Sequence, residues 1–236
     1  MGDKSMFCKK ALFAILLVVF LSVSGLSADT ATFVDLGFSP DGKNYMFAQY
    51  GVQAQTLKTW AELFVVDVAK NDFVPNGSIF FLNNNPVVFG QDGSGALFHL
   101  FAQNVSLASK NRIDHCFQGQ LLYVALDPDP ASSPAEFRDF ENECSYRASL
   151  VSSEEGSGVD LKSSFYINLE RTNKDGSKRT YTLGNPQIKR SLINFYCIHK
   201  VIVAPNDDSA IFVIETRRQD GDHTSVRFMV EALKLN

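Results

Sequence analysis

Four histidines (His99, His115, His199, His223), four cysteines and a few acidic pairs are the side chains of this 236-residue chain that could attack a substrate, carry a proton or hold a metal. Nucleophilic hydrolysis sets a serine or cysteine beside a base, and one strained turn that presents such a serine reads G-x-S-x-G. No such string occurs. The nearest, Gly93-Ser94-Gly95, precedes an apolar run and reads as capping at a helix start. His99 adjoins Leu100 and reads as the border of a core; His223 follows the turn Asp220-Gly221 and reads as solvated. A triad assembled only in the fold is the hydrolytic reading left open. The metal-binding spacings H-E-x-x-H, C-x-x-C and the EF-hand loop are absent. Asn206-Asp207-Asp208 and Asp127-x-Asp129 offer oxygens to a hard cation, but calcium takes about six to eight and neither stretch supplies them in series. Both read as turns. Glu154-Glu155 opens a glycine-rich loop, a poor mount for a glycosidase acid. We assign no catalytic, cofactor-binding or metal-binding residue from the sequence, and no cofactor is expected.

Nucleotide binding lacks a P-loop and a βαβ glycine fingerprint; Gly90-Gln91-Asp92-Gly93-Ser94-Gly95 has the wrong spacing and no lysine. With 22 basic against 26 acidic side chains the chain carries −4, which repels phosphate and excludes a dedicated nucleic-acid binder. Lys189-Arg190 and Arg217-Arg218 read as exposed edge-strand charges that deter aggregation. The sequons Asn76-Gly77-Ser78 and Asn104-Val105-Ser106 matter only in a eukaryotic host.

Lys4, Lys9 and Lys10 precede an uncharged apolar run over 11–23, and Ser24, Gly25, Ser27 and Ala28 follow. A positive start, an apolar stretch of this length and a small-residue exit predict a signal peptide over 1–28 and a single β-rich extracytoplasmic domain over 29–236. The run falls short of the roughly 20 residues that span a bilayer, so a membrane enters only through an uncleaved signal segment. Without residues 1–28 the balance is 19 basic against 25 acidic, a net −6, which suits an exported soluble protein. Cys8 leaves with the leader. Cys116, Cys144 and Cys197 match no metal pattern, and an odd count allows one disulfide in three ways, or none.

The elements that must position any site are mainly strands, and 20 phenylalanines lean the same way. Apolar runs predict strands at 32–38, 44–50, 62–68, 78–82, 87–89, 145–151, 164–170, 178–183, 195–203, 210–216 and 226–233, with hairpin turns at Asp175-Gly176 and Asp220-Gly221. Leu97, Leu100, Phe101, Val105 and Ala108 recur at three- and four-residue steps and predict a helix over 94–110, capped by Ser94. Ser133-Pro134-Ala135-Glu136 sets a capping serine, a first-turn proline and a reciprocal glutamate, predicting a short helix over 134–140. The proline-rich stretch 127–134 is a loop.

An internal repeat links the two ends. Residues 36–48 (LGFSPDGKNYMFA) align without a gap on 201–213 (VIVAPNDDSAIFV), and the same offset of 165 carries 63–68 (LFVVDV) onto 228–233 (FMVEAL). Each copy predicts a strand, a Pro-Asp or Pro-Asn turn, a second strand, a polar insertion and a third strand. Such a meander cannot bury its apolar face alone and must stack on something. The unit resembles a blade of TolB-type β-propellers, in which a strand leads into F-S-P-D-G and a later strand reads L-x-V-x-D. The likeness is strong at 33–70 and weaker at 201–234, where Asp207 takes the place of the tight-turn glycine. With Phe47-Ala48-Gln49-Tyr50-Gly51-Val52-Gln53, Asn185-Pro186, Tyr196-x-Ile198-x-x-Val201 and the closing run 228–233, the chain is similar to an uncharacterised family of predicted secreted bacterial proteins. That resemblance implies export, a shared fold and a helical stretch at 95–110. Members of the family often carry a cysteine a few residues ahead of the tyrosine; here Leu192 stands near that place and Cys197 lies just after the tyrosine. The resemblance implies no activity.

The expectation is a mainly β fold of antiparallel meanders, propeller-like or sandwich-like, with one helix near 94–110 and a short helix near 134–140. The expected function is that of an exported, secreted or periplasmic, non-enzymatic binding or scaffold domain of the bacterial envelope, engaging an unknown protein or cell-envelope partner. The alternative is a secreted hydrolase whose site is assembled only in the fold.

Overall fold

The computed structural model describes residues 28–88, 90–126, 134–221 and 223–235. The leader expected over 1–28 lies, except for Ala28, outside the described residues, as does the loop at 127–133. Three sheets and a pair of helices form four layers. The first sheet is a meander of β2 (Thr32–Phe38), β3 (Asn44–Val52), β4 (Lys58–Asp67) and β5 (Asp72–Pro86). The third sheet is another, of β7 (Ala135–Asp139), β8 (Cys144–Glu155), β9 (Lys162–Thr172) and β10 (Lys178–Leu183), with the two-residue β11 (Arg190–Ser191) on the far end of β9. Between them lies the middle sheet, in the order β1 (Ala28–Thr30), β14 (His223–Lys234), β13 (Ser209–Asp220), β12 (Ile193–Val203), β6 (Gln120–Val124). All named pairings are antiparallel except β1 on β14.

The apolar patterns dictate this stacking. In β13, Ala210, Phe212 and Ile214 face the third sheet, while Ile211 and Val213 face the first. A strand covered on both sides must read as a continuous apolar run, and AIFVI does. The first sheet turns Tyr45, Phe47, Trp60 and Val66 toward the middle sheet, and Met46, Ala48, Leu63 and Val65 toward the helices α1 (Ser94–Gln103) and α2 (Val105–Lys110). In β12 a bulge at His199 flips the parity, so Tyr196 and Ile198 before it and Val201 and Val203 after it all reach the third sheet. Phe38 and Phe212 are both 0% exposed, on opposite sides of the middle layer.

The repeat is real in three dimensions. Ser39 N–H donates to Asn44 O at 2.9 Å and Gly42 N–H to Ser39 O at 2.8 Å; 165 residues on, Ala204 donates to Ser209 and Asp207 to Ala204, each at 2.9 Å. The third strands slip by two residues. Tyr45 pairs with Val66, whereas its counterpart Ala210 pairs with Leu233 rather than Glu231. A slip of two keeps every side chain on its own face, so the sequence pattern survives it.

Several expectations are corrected. The segment at 134–140 is strand β7, not a helix: Ala135, Phe137 and Asp139 point inward, and Phe137 stacks on Tyr146 at 5.1 Å. Its two-residue alternation, satisfied against the edge of β8, outweighs the capping-box signature. The helix at 94–110 is broken at Asn104, whose side-chain amide donates to Leu100 O at 2.8 Å. Ser94 does not cap it; the Asp92 carboxylate instead accepts both Ser94 N–H (3.0 Å) and Ser94 Oγ–H (2.6 Å). The strand expected at 78–82 is part of β5, and Val87 and Val88 lie beyond its end. Strand β6 had no counterpart in the sequence reading.

Candidate functional site

The hollow with the strongest chemical character lies where the three sheets meet, a pocket of about 430 Å³. The first sheet contributes the β4–β5 turn with Asn71, the middle sheet β14 with Met229, Val230 and Glu231, and the third sheet the connection leading to Arg190. The turn is tight because Asn71 takes a left-handed backbone, φ +52°, which asparagine tolerates better than most residues. That twist aims its amide across the gap. Asn71 Nδ2 donates to the Glu231 carboxylate, and Asn71 Oδ1 accepts the Ala232 N–H at 2.6 Å. One side chain thereby ties the first sheet to the open edge of β14.

Glu231 is only 5% exposed. Burial pushes its carboxyl above the usual range, against the opposing pull of the Asn71 hydrogen bond, the charge of Arg190 and the Gly184 backbone N–H. Arg190 sits over the Phe165 ring at 5.0 Å and donates to Ile188 O at 3.4 Å. It forms no direct ion pair with Glu231 among the described residues. Val66, Phe73, Ile188 and Met229 supply apolar wall. A partly apolar hollow with a few converging polar groups and a shifted carboxyl is the usual form of a ligand site.

A second cleft, of about 510 Å³, opens where β1, the β3–β4 turn and the β13–β14 hairpin meet. Its charges serve the fold. Asp29 Oδ2 accepts Arg227 Nη2–H at 2.7 Å, Asp29 Oδ1 accepts the Trp60 indole N–H at 3.1 Å, and the guanidinium lies 3.9 Å from the centre of the Trp60 ring.

The histidines are kept apart. His99 is exposed on α1, 4.7 Å from the Phe81 ring; His115 Nδ1 meets Leu36 O at 2.7 Å; His223 is exposed in the second cleft. His199 is half-buried at the β12 bulge, 3.8 Å from Glu215 Oε2, and burial lowers its pKa. Among the described residues no serine or threonine hydroxyl is hydrogen-bonded to a histidine. Asn206, Asp207 and Asp208 form the turn before β13, Glu155 is paired with Lys189 at 2.7 Å, and Asp127 and Asp129 lie outside the described residues. No disulfide joins any two of Cys116, Cys144 and Cys197; the first is exposed and the others are buried. The basic pairs are less idle than expected. Besides Arg190 in the pocket, Arg217 lies 4.0 Å from the centre of the Phe195 ring and 2.8 Å from Glu215 Oε1; Lys189 and Arg218 are exposed.

Sequence reading missed Asn71, Arg190 and Glu231 as a group, since they lie on three different sheets. One signal was available: a glutamate inside the apolar closing run FMVEAL must find a partner.

No curated protein and no solved structure matches the chain. A family model does match, over residues 46–234, and its span takes in all three polar residues of the pocket. The chain belongs to that family, described as predicted secreted protein (DUF2259).

Proposed function

We propose that the chain is an exported, non-enzymatic binding module of the bacterial envelope that presents the three-sheet pocket to its partner. The observation that carries this reading is the pocket: a buried carboxylate on β14 and a guanidinium on β11 face a partly apolar hollow. Membership of a family described as secreted supports export. The three sheets stack face to face, the sandwich-like form of the expectation, which leaves the connections at the sheet ends free to carry a ligand.

The test compares the exported chain with an Ile188→Trp variant. Ile188 is half exposed on the pocket wall, so an indole there fills the hollow without entering a core. Immobilised and washed with detergent-solubilised envelope, the wild-type chain is expected to retain a component that the variant loses. Retention of the same components by both chains overturns the reading. So does turnover of ester, amide or glycoside substrates that His199→Ala abolishes.

A further inference from the structure

The two charged groups of the pocket are opposite in sign and are not spent on each other. Glu231 and Arg190 are close enough for the guanidinium to act on the carboxyl, yet no direct ion pair joins them among the described residues. Arg190 gives one long hydrogen bond, at 3.4 Å to Ile188 O, and rests on a ring. A guanidinium carries five N–H donors in a planar fork, so most of its donor capacity remains for a ligand, and that fork matches a carboxylate. Lys70 and Asp72 add one charge of each sign at the rim, with Lys70 held by Asp67 at 2.8 Å. An amine alone would bring positive charge beside Arg190 and Lys70, and a carboxylate alone would bring negative charge beside Glu231 and Asp72. A molecule with both heads meets neither penalty.

We infer that the pocket takes a small zwitterion with an apolar side chain, an amino acid of the phenylalanine class, its ammonium on Glu231, its carboxylate on Arg190 and its side chain against Phe73, Ile188 and Met229. The inference rests on the binding reading above and names the ligand class for the same site. The hollow, about 430 Å³, falls inside the range of roughly 300–1,000 Å³ typical of small-molecule pockets.

Calorimetric titration of the exported chain with three probes tests it: L-phenylalanine, phenethylamine (no carboxylate) and 3-phenylpropanoate (no amine). L-phenylalanine is expected to bind at least tenfold more tightly than either single-headed probe. Glu231→Gln is expected to reduce it to the level of 3-phenylpropanoate, whose own binding does not weaken. Arg190→Met is expected to reduce it to the level of phenethylamine. Should Glu231→Gln fail to fold, Arg190→Met with the same three probes decides the matter, since Arg190 is only half-buried. Equal affinity for L-phenylalanine and either single-headed probe overturns the inference, as does an L-phenylalanine affinity that neither variant changes. If no probe binds while the wild-type chain still retains an envelope component lost by Ile188→Trp, the ligand class is wrong and the binding reading stands. If neither is seen, both fall.

Discussion

Gly42 and Asp207, 165 residues apart, hold the same left-handed backbone, at φ +66° and +56°, and close the same turn in two sheets that pack against each other. The turns also touch: a Cβ on Gly42 would lie 2.5 Å from Asn206 Nδ2. An L-residue in this region costs about 1–2 kcal/mol, less for aspartate, and glycine nothing sterically. Gly42→Ala should therefore lower stability by about 1–2 kcal/mol, and Asp207→Gly should raise it by up to about 1 kcal/mol. Urea unfolding of the two variants reads both signs; equal responses would show that the turns are not equivalent.

Asn71 supplies both a donor and an acceptor to β14, so Asn71→Asp separates the two roles. The variant can still accept the Ala232 N–H, but it sets a second carboxylate against Glu231. Two carboxylates at hydrogen-bond distance cannot both ionise readily, so the folded state holds a shared proton and at least one raised pKa. Stability from such a group is present in acid and lost as pH rises through the folded value. The variant is expected to unfold more easily than wild type by about 1–3 kcal/mol at pH 7 and to recover toward pH 4, as thermal melts at both pH values would show.

Glu62 makes the same point within the native chain. Burial raises its carboxyl, against the Gln49 hydrogen bond at 2.7 Å and the charge of Arg227. Its contribution is thus complete below the unfolded value of about 4.3 and declines as pH rises through the higher folded one. Glu62→Gln keeps an acceptor for Gln49 and never ionises. The melting temperature of the variant should gain on that of wild type between about pH 4 and pH 7; a difference that stays flat with pH would contradict the assignment.

Trp60, the single tryptophan, reports on β1. Asp29→Ala removes the acceptor of its indole N–H and the partner of Arg227, and should cost about 1–3 kcal/mol. Trp60 is 2% exposed, so detachment of β1 should shift its emission to the red before global unfolding. Asp29→Asn, which retains an oxygen for the indole, should show the smaller shift.

What the sequence disclosed and what it hid divide along physical lines. The repeat, the turn at 39–42 and the hairpins at Asp175 and Asp220 were legible because each is set by neighbours within a few residues. At β7 a local signal misled: Ser133 through Glu136 satisfies a capping pattern, but the edge of β8 offers Ala135 and Phe137 a buried face that a short helix would lack. Strand β6 was invisible because its QLLYV run joins β12 across 76 to 83 residues of chain, and nothing near it marks the pairing. The pocket was hidden for the same reason. Asn71, Arg190 and Glu231 converge only after three sheets stack, and no spacing along a single element encodes that geometry.

The central layer joins the two ends of the described chain. It takes β1 from the start of the described chain and β14 from its end, and residues of β14 complete the packing on both sides: Phe228 and Ala232 toward the first sheet, Met229 and Leu233 toward the third. Strands β12 and β13 hold the same two interfaces from the other flank, so fraying of the single strand β14 would open one side of both seams at once.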